Sequence, residues 1–173
     1  MLRERLKQIT EIEVVSTHSI LLEELSSEIQ NTIQILESQY PINRYTCFVY
    51  IFDFTVDPEY VGIASSGIGR VFAGTAFMNY LIDENYLEEI TEEDVKVDDI
   101  VVYFNDVEIK HAGKYKSKNR VISKWGIGNL YEHYIFEAPI QYGDIVRYYE
   151  KLSKESALDY FVEFAKLNRI ILE

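Results

Sequence analysis

Two residues of this chain carry side chains that could form a nucleophilic pair. Cys47 is the single cysteine, and His111 heads the stretch HAGKYKSKNRVISKWG at 111–126. A free thiol with a pKa of about 8.5 is mostly protonated at neutral pH, but an adjacent imidazolium lowers that pKa, and the thiolate is a nucleophile. A cysteine within an apolar run is more often an inert core residue. Residue types alone leave both interpretations open and favour the inert one.

The segments around Cys47 have mainly helical patterns. The apolar run CFVYIFDF (47–54) fits either a buried helix or a strand. As a helix it would hold Cys47 in its first turn, where backbone N–H groups favour an anion. Apolar residues spaced three and four apart predict an amphipathic helix over 22–36 and another over 72–81, the second one following a glycine-bearing loop, SSGIGR, at 65–70.

His111 belongs to a second half with β propensity. Five short runs are separated by junctions of two to six residues, which suit antiparallel meander pairing. The runs span 99–104, 108–115, 120–125, 131–138 and 144–150. A last helix is expected to begin near Ser153, a suitable N-cap residue.

Helices followed by strands predict an α+β fold. We expect N-terminal helices packed against an antiparallel sheet of roughly five strands, with a C-terminal helix. The length suits one domain over 1–173. Within it, 1–40 would be a helical N-terminal segment, 41–150 the core and 151–173 the C-terminal helix.

Composition restricts the classes of partner. The net charge of −12 would repel phosphates, so it disfavours nucleic acid and anionic membrane surfaces and leaves a basic protein partner open. One cysteine cannot form an internal disulfide, which fits a reducing compartment. No apolar run approaches the ~20 residues that span a bilayer, and the first residues lack an apolar signal region. We therefore expect a cytoplasmic protein.

Residues 97–122, VDDIVVYFNDVEIKHAGKYKSKNRVI, resemble the strand pair of the NlpC/P60 branch of papain-like cysteine peptidases. That family has a Gly-Asp-led strand, a short turn, then His-Val-Gly or His-Ala-Gly opening the next strand, and a third polar residue further along. Asp99 matches the aspartate, Asp98 stands where the glycine would be, and 111–113 match the histidine motif. SKWG at 123–126 is also similar to the Asn-Ser-Trp-Gly of papain itself.

The resemblance, over roughly residues 40–150, implies a papain-like fold with Cys47 as nucleophile, His111 as general base and Ser123 in the position that orients the histidine. It also implies peptide-like substrates. Ser123 departs from the family pattern, which has Asn, Gln or His at that position. The bulky Phe48 after the cysteine is a second departure.

Three other side chains are secondary binding candidates: His133, Trp125 and Lys124. His133 is the rival catalytic histidine, although a half-exposed strand histidine usually only packs. Lys124 belongs to a lysine-rich hairpin, whose simplest interpretation is a solvated turn. His18 is expected on the surface. We expect no metal and no cofactor, because the histidines are scattered and the glycine loop lacks the lysine of a phosphate-binding loop.

Two hypotheses from different classes follow. The first is an NlpC/P60-like thiol hydrolase or acyl-transferase that acts on an amide or ester bond of a peptide-like or protein substrate, such as a cell-wall recycling fragment or a target in a phage-related role. The second is a catalytically inactive papain-like protein of the immunity or inhibitor type, whose acidic surface binds a basic protein partner.

Overall fold

A computed structural model describes residues 1–66 and 71–168 of the chain. Within these ranges the fold is α+β, as predicted, with six α-helices and one open antiparallel sheet of seven strands. The helices are α1 Leu2–Thr10, α2 His18–Glu28, α3 Cys47–Ile51, α4 Pro58–Ser66, α5 Thr75–Asp83 and α6 Lys154–Leu167. Of the glycine loop expected at 65–70, residues 67–70 lie outside the described ranges, as do 169–173 of the C-terminal segment.

The sheet has two more strands than expected. Its strands are β1 Gln34–Leu36, β2 Glu89–Ile90, β3 Ile100–Asn105, β4 Glu108–Ser117, β5 Arg120–Lys124, β6 Leu130–Tyr134 and β7 Ile145–Tyr149. The spatial order is β1-β6-β5-β4-β3-β7-β2. The short strands β1 and β2 form the two edges, and neither is long enough to produce a strand pattern in the sequence.

The helix predicted over 22–36 is wrong in its second half. The α-helix ends at Glu28, and Ile29 is already extended. The side-chain NH₂ group of Asn31 donates to the Ile29 carbonyl, and the side-chain oxygen of Asn31 accepts from the Ile33 N–H. These side-chain hydrogen bonds compete with those of a helix. The Glu137 carboxylate then accepts from the Thr32 N–H, which directs the chain into β1.

Strands β3 to β6 form the predicted meander, but the last junction is a crossover. β7 pairs with β3 instead of β6, because the free edge of β6 is occupied by β1. The chain returns through a 3₁₀ turn at Ile140–Tyr142 and then Gly143. Gly143 has φ +94°, and an added Cβ would lie 2.1 Å from the Phe104 carbonyl oxygen, so this position requires glycine.

Helices cover both faces of the sheet. Val102 and Ala112 lie in a core with α3, α5 and α6, whereas Val101 and Tyr103 lie in a core with α1 and α2. Double coverage explains why β3 is a continuous apolar run and does not alternate. No helix in the described part of the chain is both long and apolar enough to cross a membrane.

Candidate functional site

Cys47 is the first residue of α3. Thr46 caps this helix, since its backbone is extended and its hydroxyl accepts a hydrogen bond from the Val49 N–H. The helix buries Phe48, Val49 and Ile51 against the sheet, which is why the apolar run 47–54 begins as a helix. A residue in the left-handed conformation, Asp53, follows and redirects the chain.

Cys47 also lines a cavity of about 650 Å³. Among the described residues, its wall comes from 42–49, 64–65, 72–75 and 126–127, and most of that wall is apolar. Cys47 is partly exposed there. A small organic group in this cavity would therefore meet the single thiol of the chain together with apolar surface.

The surroundings of the thiol act on its pKa in opposite directions. Burial of the sulfur dominates and raises the Cys47 pKa from 9.0 to about 11. Hydrogen bonding from the backbone N–H groups of Ala112 and Phe48 lowers it, and so does the charge of Lys124. Because burial outweighs these groups, the thiol is neutral at pH 7.

His111 lies on β4 and is almost fully buried, at 1% exposure. Its ring is stacked on Tyr142 with a centroid distance of 3.9 Å, and Tyr103 packs 5.5 Å away. Burial, together with the charges of His133 and Lys124, holds the His111 pKa well below 6.5, so the ring is neutral. Among the described residues, its Nε2 atom has no hydrogen-bond partner.

The register of β4 separates the two proposed catalytic side chains. Ala112 pairs with Val102 and shares the core with α3, while His111 pairs with Tyr103 and directs its ring to the opposite face. The sulfur lies beside the Ala112 N–H, so it is close to the backbone that carries His111. No hydrogen bond joins Cys47 Sγ to His111 Nε2.

Ser123 is bonded to a different histidine. Its Oγ atom lies 2.8 Å from His133 Nε2, and Trp125 Nε1 donates to it over 3.0 Å. His133 Nδ1 is 2.8 Å from the Tyr134 carbonyl, which can only accept, so the proton is on Nδ1. Burial lowers the His133 pKa to about 4, so the ring is neutral, and Ser123 donates to Nε2. In this structure Ser123 orients His133 and not His111.

The expected exposure of two histidines is wrong. His133 was expected to be half exposed. It is fully buried, because it lies opposite Val121 on the sheet face that α1 and α2 cover. His18, expected on the surface, is also fully buried, and its Nε2 donates to the Ile12 carbonyl over 2.8 Å. The predictions failed because the helices cover the sheet face on which these side chains lie.

Of the residues near the cavity, Lys124 differs most from its sequence-based prediction. It is fully buried and not part of a solvated turn, because both faces of β5 are covered. Its Nζ donates to the Gly126 carbonyl over 2.7 Å and lies 5.3 Å above the Tyr45 ring. Burial lowers its pKa to about 8. A signal in the sequence was its place within the strand predicted over 120–125.

The described residues contain no group of three histidine, cysteine or carboxylate side chains placed to hold a metal ion. A model of the family described as "Domain of unknown function (DUF7689)" matches residues 37–150. No curated protein and no solved structure matches the chain. The match begins near β1 and ends after β7, so it includes Cys47, the whole meander and the buried histidines.

Proposed function

Because the chain belongs to the DUF7689 family, whose function is unknown, we propose a function from the site itself: a thiol hydrolase or acyl-transferase of NlpC/P60-like type that acts on an amide or ester bond. Cys47 is the nucleophile and His111 the general base. The observation that carries this proposal is the position of Cys47. Its sulfur lies at the wall of a cavity, at the first residue of a helix, and the backbone of Phe48 and Ala112 is close enough to lower its pKa.

In this reaction the sulfur attacks a carbonyl carbon, and the thiol proton moves to the imidazole. The carbonyl oxygen becomes an oxyanion, for which the backbone N–H groups at the start of α3 are suitable donors. When the C–N or C–O bond breaks, the imidazolium returns the proton to the leaving group. Water or a second acceptor then releases the acyl group from the thioester and restores the thiol.

The proposal requires His111 to move. Its ring is stacked on Tyr142, on the face of the sheet opposite the α3 core, whereas the sulfur is beside Ala112. A proton leaving a thiol with a pKa of about 11 would go to an imidazole whose pKa is below 6.5. Movement of the ring out of the stack would raise its pKa, but to reach the sulfur the backbone of β4 must shift as well, because side-chain rotation alone keeps the ring on its own face of the sheet. Substrate binding in the cavity is the step that would favour this movement.

The cavity wall supports one class of substrate. Its largely apolar surface suits a peptide-like substrate with an apolar side chain next to the scissile bond. The net charge of −12 favours neutral or basic segments over acidic ones. A peptide or protein substrate of this kind agrees with the resemblance of the His-Ala-Gly motif at 111–113.

A second function is favoured by the protonation states. Cys47 and His111 are both neutral, and among the described residues no group is hydrogen-bonded to His111 Nε2. A chain with this arrangement could be a papain-like binding protein without catalysis. Its acidic surface would then bind a basic protein partner, as an immunity or inhibitor protein does.

The two functions are distinguished by acylation of the single cysteine. The folded protein would be incubated with p-nitrophenyl acetate, while nitrophenolate release and intact mass are followed together. The hydrolase is expected to give Cys47-dependent turnover, which Cys47→Ala abolishes. His111→Gln is expected to slow acetylation of Cys47 and turnover together, because it removes the base that accepts the thiol proton. Absence of both turnover and acetylation at Cys47 would refute the hydrolase and leave the binding protein.

A further inference from the structure

Lys124 is a buried lysine for which the described part of the chain provides no carboxylate partner. A fully buried lysine usually has a carboxylate partner, because an unpaired charge is costly to desolvate. Lys114, a buried lysine on the same face of the sheet, has such a partner in Asp53. Within the described residues Lys124 forms no salt bridge, and its Nζ has a backbone carbonyl as hydrogen-bond acceptor. This lysine therefore needs a separate explanation.

Its position relates it to the cavity. Nζ is held between the Gly126 carbonyl and the Tyr45 ring, and both of these residues line the cavity that contains Cys47. The amine thus lies directly behind the cavity wall. Besides the Cys47 thiol itself, three titratable side chains lie near the amine or the thiol. They are Tyr45 before α3, His111 from β4 and Tyr142 from the 3₁₀ turn.

Among these groups, the thiol is the one best suited to become the anion. Burial raises the pKa of Tyr45 and of Tyr142, so both phenols stay neutral, and His111 carries either no charge or a positive one. The thiolate of Cys47 and the ammonium of Lys124 stabilise each other. An ion pair between them would remove the unpaired charge from the wall of the cavity.

We propose that Lys124 is a positioning residue that stabilises the Cys47 thiolate, so that in the free protein the ionisation of the thiol depends on this lysine and not on His111. This inference deepens the proposed function, on which it rests for the role of the thiolate, but the ion pair itself requires no turnover. His111 keeps its proposed role: once substrate is bound and the ring has moved, it accepts the thiol proton and returns it to the leaving group.

The charge of Lys124 acts on the thiol where the lysine is protonated. Nζ lies beside the Gly126 carbonyl and the Tyr45 ring, behind the cavity wall that contains Cys47, and with a pKa of about 8 the amine is charged at pH 7. Its charge lowers the Cys47 pKa, which burial raises. When Lys124 is charged, it favours the thiolate by charge attraction.

The test measures iodoacetamide alkylation of Cys47 from pH 5 to 11 by intact mass, since the single cysteine makes every thiol adduct specific. Replacing Lys124 by Met removes the charge and keeps the apolar stem. Below pH 8, where the ammonium is charged, we expect Lys124→Met to lower the alkylation rate about tenfold or more, because the thiolate fraction falls. Lys124→Arg should retain most of the wild-type rate. The matched control Lys114→Met, and also His111→Gln, should leave the rate in this range unchanged.

A measurement on the unmodified protein covers the case in which Lys124→Met does not fold. Iodoacetate carries a negative charge and iodoacetamide none, so their rate ratio at Cys47 reports positive charge beside the sulfur. We expect this ratio to fall several-fold between pH 7 and 9 as Lys124 loses its proton. A constant ratio, or an alkylation rate below pH 8 that falls in His111→Gln and not in Lys124→Met, would overturn the inference.

The outcomes also separate this inference from the proposed function. A charge-dependent alkylation profile without turnover of p-nitrophenyl acetate would retain the ion pair and reject the hydrolase. Turnover that depends on Cys47, combined with a profile insensitive to Lys124, would retain the hydrolase and reject the ion pair.

Discussion

Mild acid should destabilise this protein because His133 is buried as a neutral ring. Burial lowers the His133 pKa from 6.5 to about 4. The unfolded chain therefore takes up a proton near pH 6.5, while the folded chain takes it up only near pH 4. Between these values the unfolded state binds more protons, so the free energy of unfolding decreases as pH falls through this window and is fully retained above it.

The magnitude follows from the two pKa values. One pKa unit corresponds to about 1.4 kcal/mol, so the full loss from His133 is roughly 3 kcal/mol at pH 4, of which about 2 kcal/mol falls between pH 7 and pH 5. His111, whose pKa is lowered in the same direction, adds to this loss. The window from pH 7 to 5 is preferred because most carboxylates titrate below it.

The assay is urea unfolding at pH 7, 6 and 5, followed by fluorescence of the single tryptophan, Trp125, whose ring centroid is 5.1 Å from that of His133. His133→Gln removes the titrating ring and should reduce the loss between pH 7 and 5 by about 2 kcal/mol. Ser123→Ala is the matched control, because it weakens the same network but keeps the histidine and most of its pH dependence. An equal pH dependence in His133→Gln and wild type would refute the reasoning.

Two substitutions at glycines and one at a helix cap test the backbone. Gly143→Ala should destabilise the fold by roughly 2–4 kcal/mol in urea unfolding, because its Cβ would collide with the Phe104 carbonyl at positive φ; wild-type stability would contradict this. Gly62→Ala is the opposite case, since no atom lies within 4 Å of the added Cβ in α4, and it should stabilise by about 0.5–1 kcal/mol. Thr46→Ala removes the cap hydrogen bond to Val49 and should cost about 1 kcal/mol, whereas Thr46→Ser should retain it.

The sequence predicts the central strands well and the edges poorly. β3 and β5 follow from their β-branched residues and the turns around them, and α6 begins one residue after the expected cap, Ser153. β1 could not be predicted, because its three residues depend on pairing with β6, almost a hundred positions away. Long-range pairing of this kind overrides a local helical pattern.

The candidate site was harder to predict because its side chains are defined by burial on both sheet faces. Lys124 and His133 belong to residue types that are often exposed, and their surroundings come from α3 on one face and from α1 and α2 on the other. Periodicity assigns a residue to a face, but it does not reveal that both faces are covered. His18 was misjudged for the same reason.

The relation between Cys47 and His111 depends on one step of strand register. Side chains alternate across a strand, so Ala112 and not His111 lies on the α3 face. The sulfur lies on the α3 side of the sheet, close enough to the backbone of Ala112 for that backbone to lower the Cys47 pKa. Lys124 is on the same side, since Val121, three residues earlier on β5, faces the core with α1 and α2. His111 is on the other side, stacked on Tyr142. If both side chains act on the thiol as we propose, the lysine acts first, because it is already on the face of the sulfur.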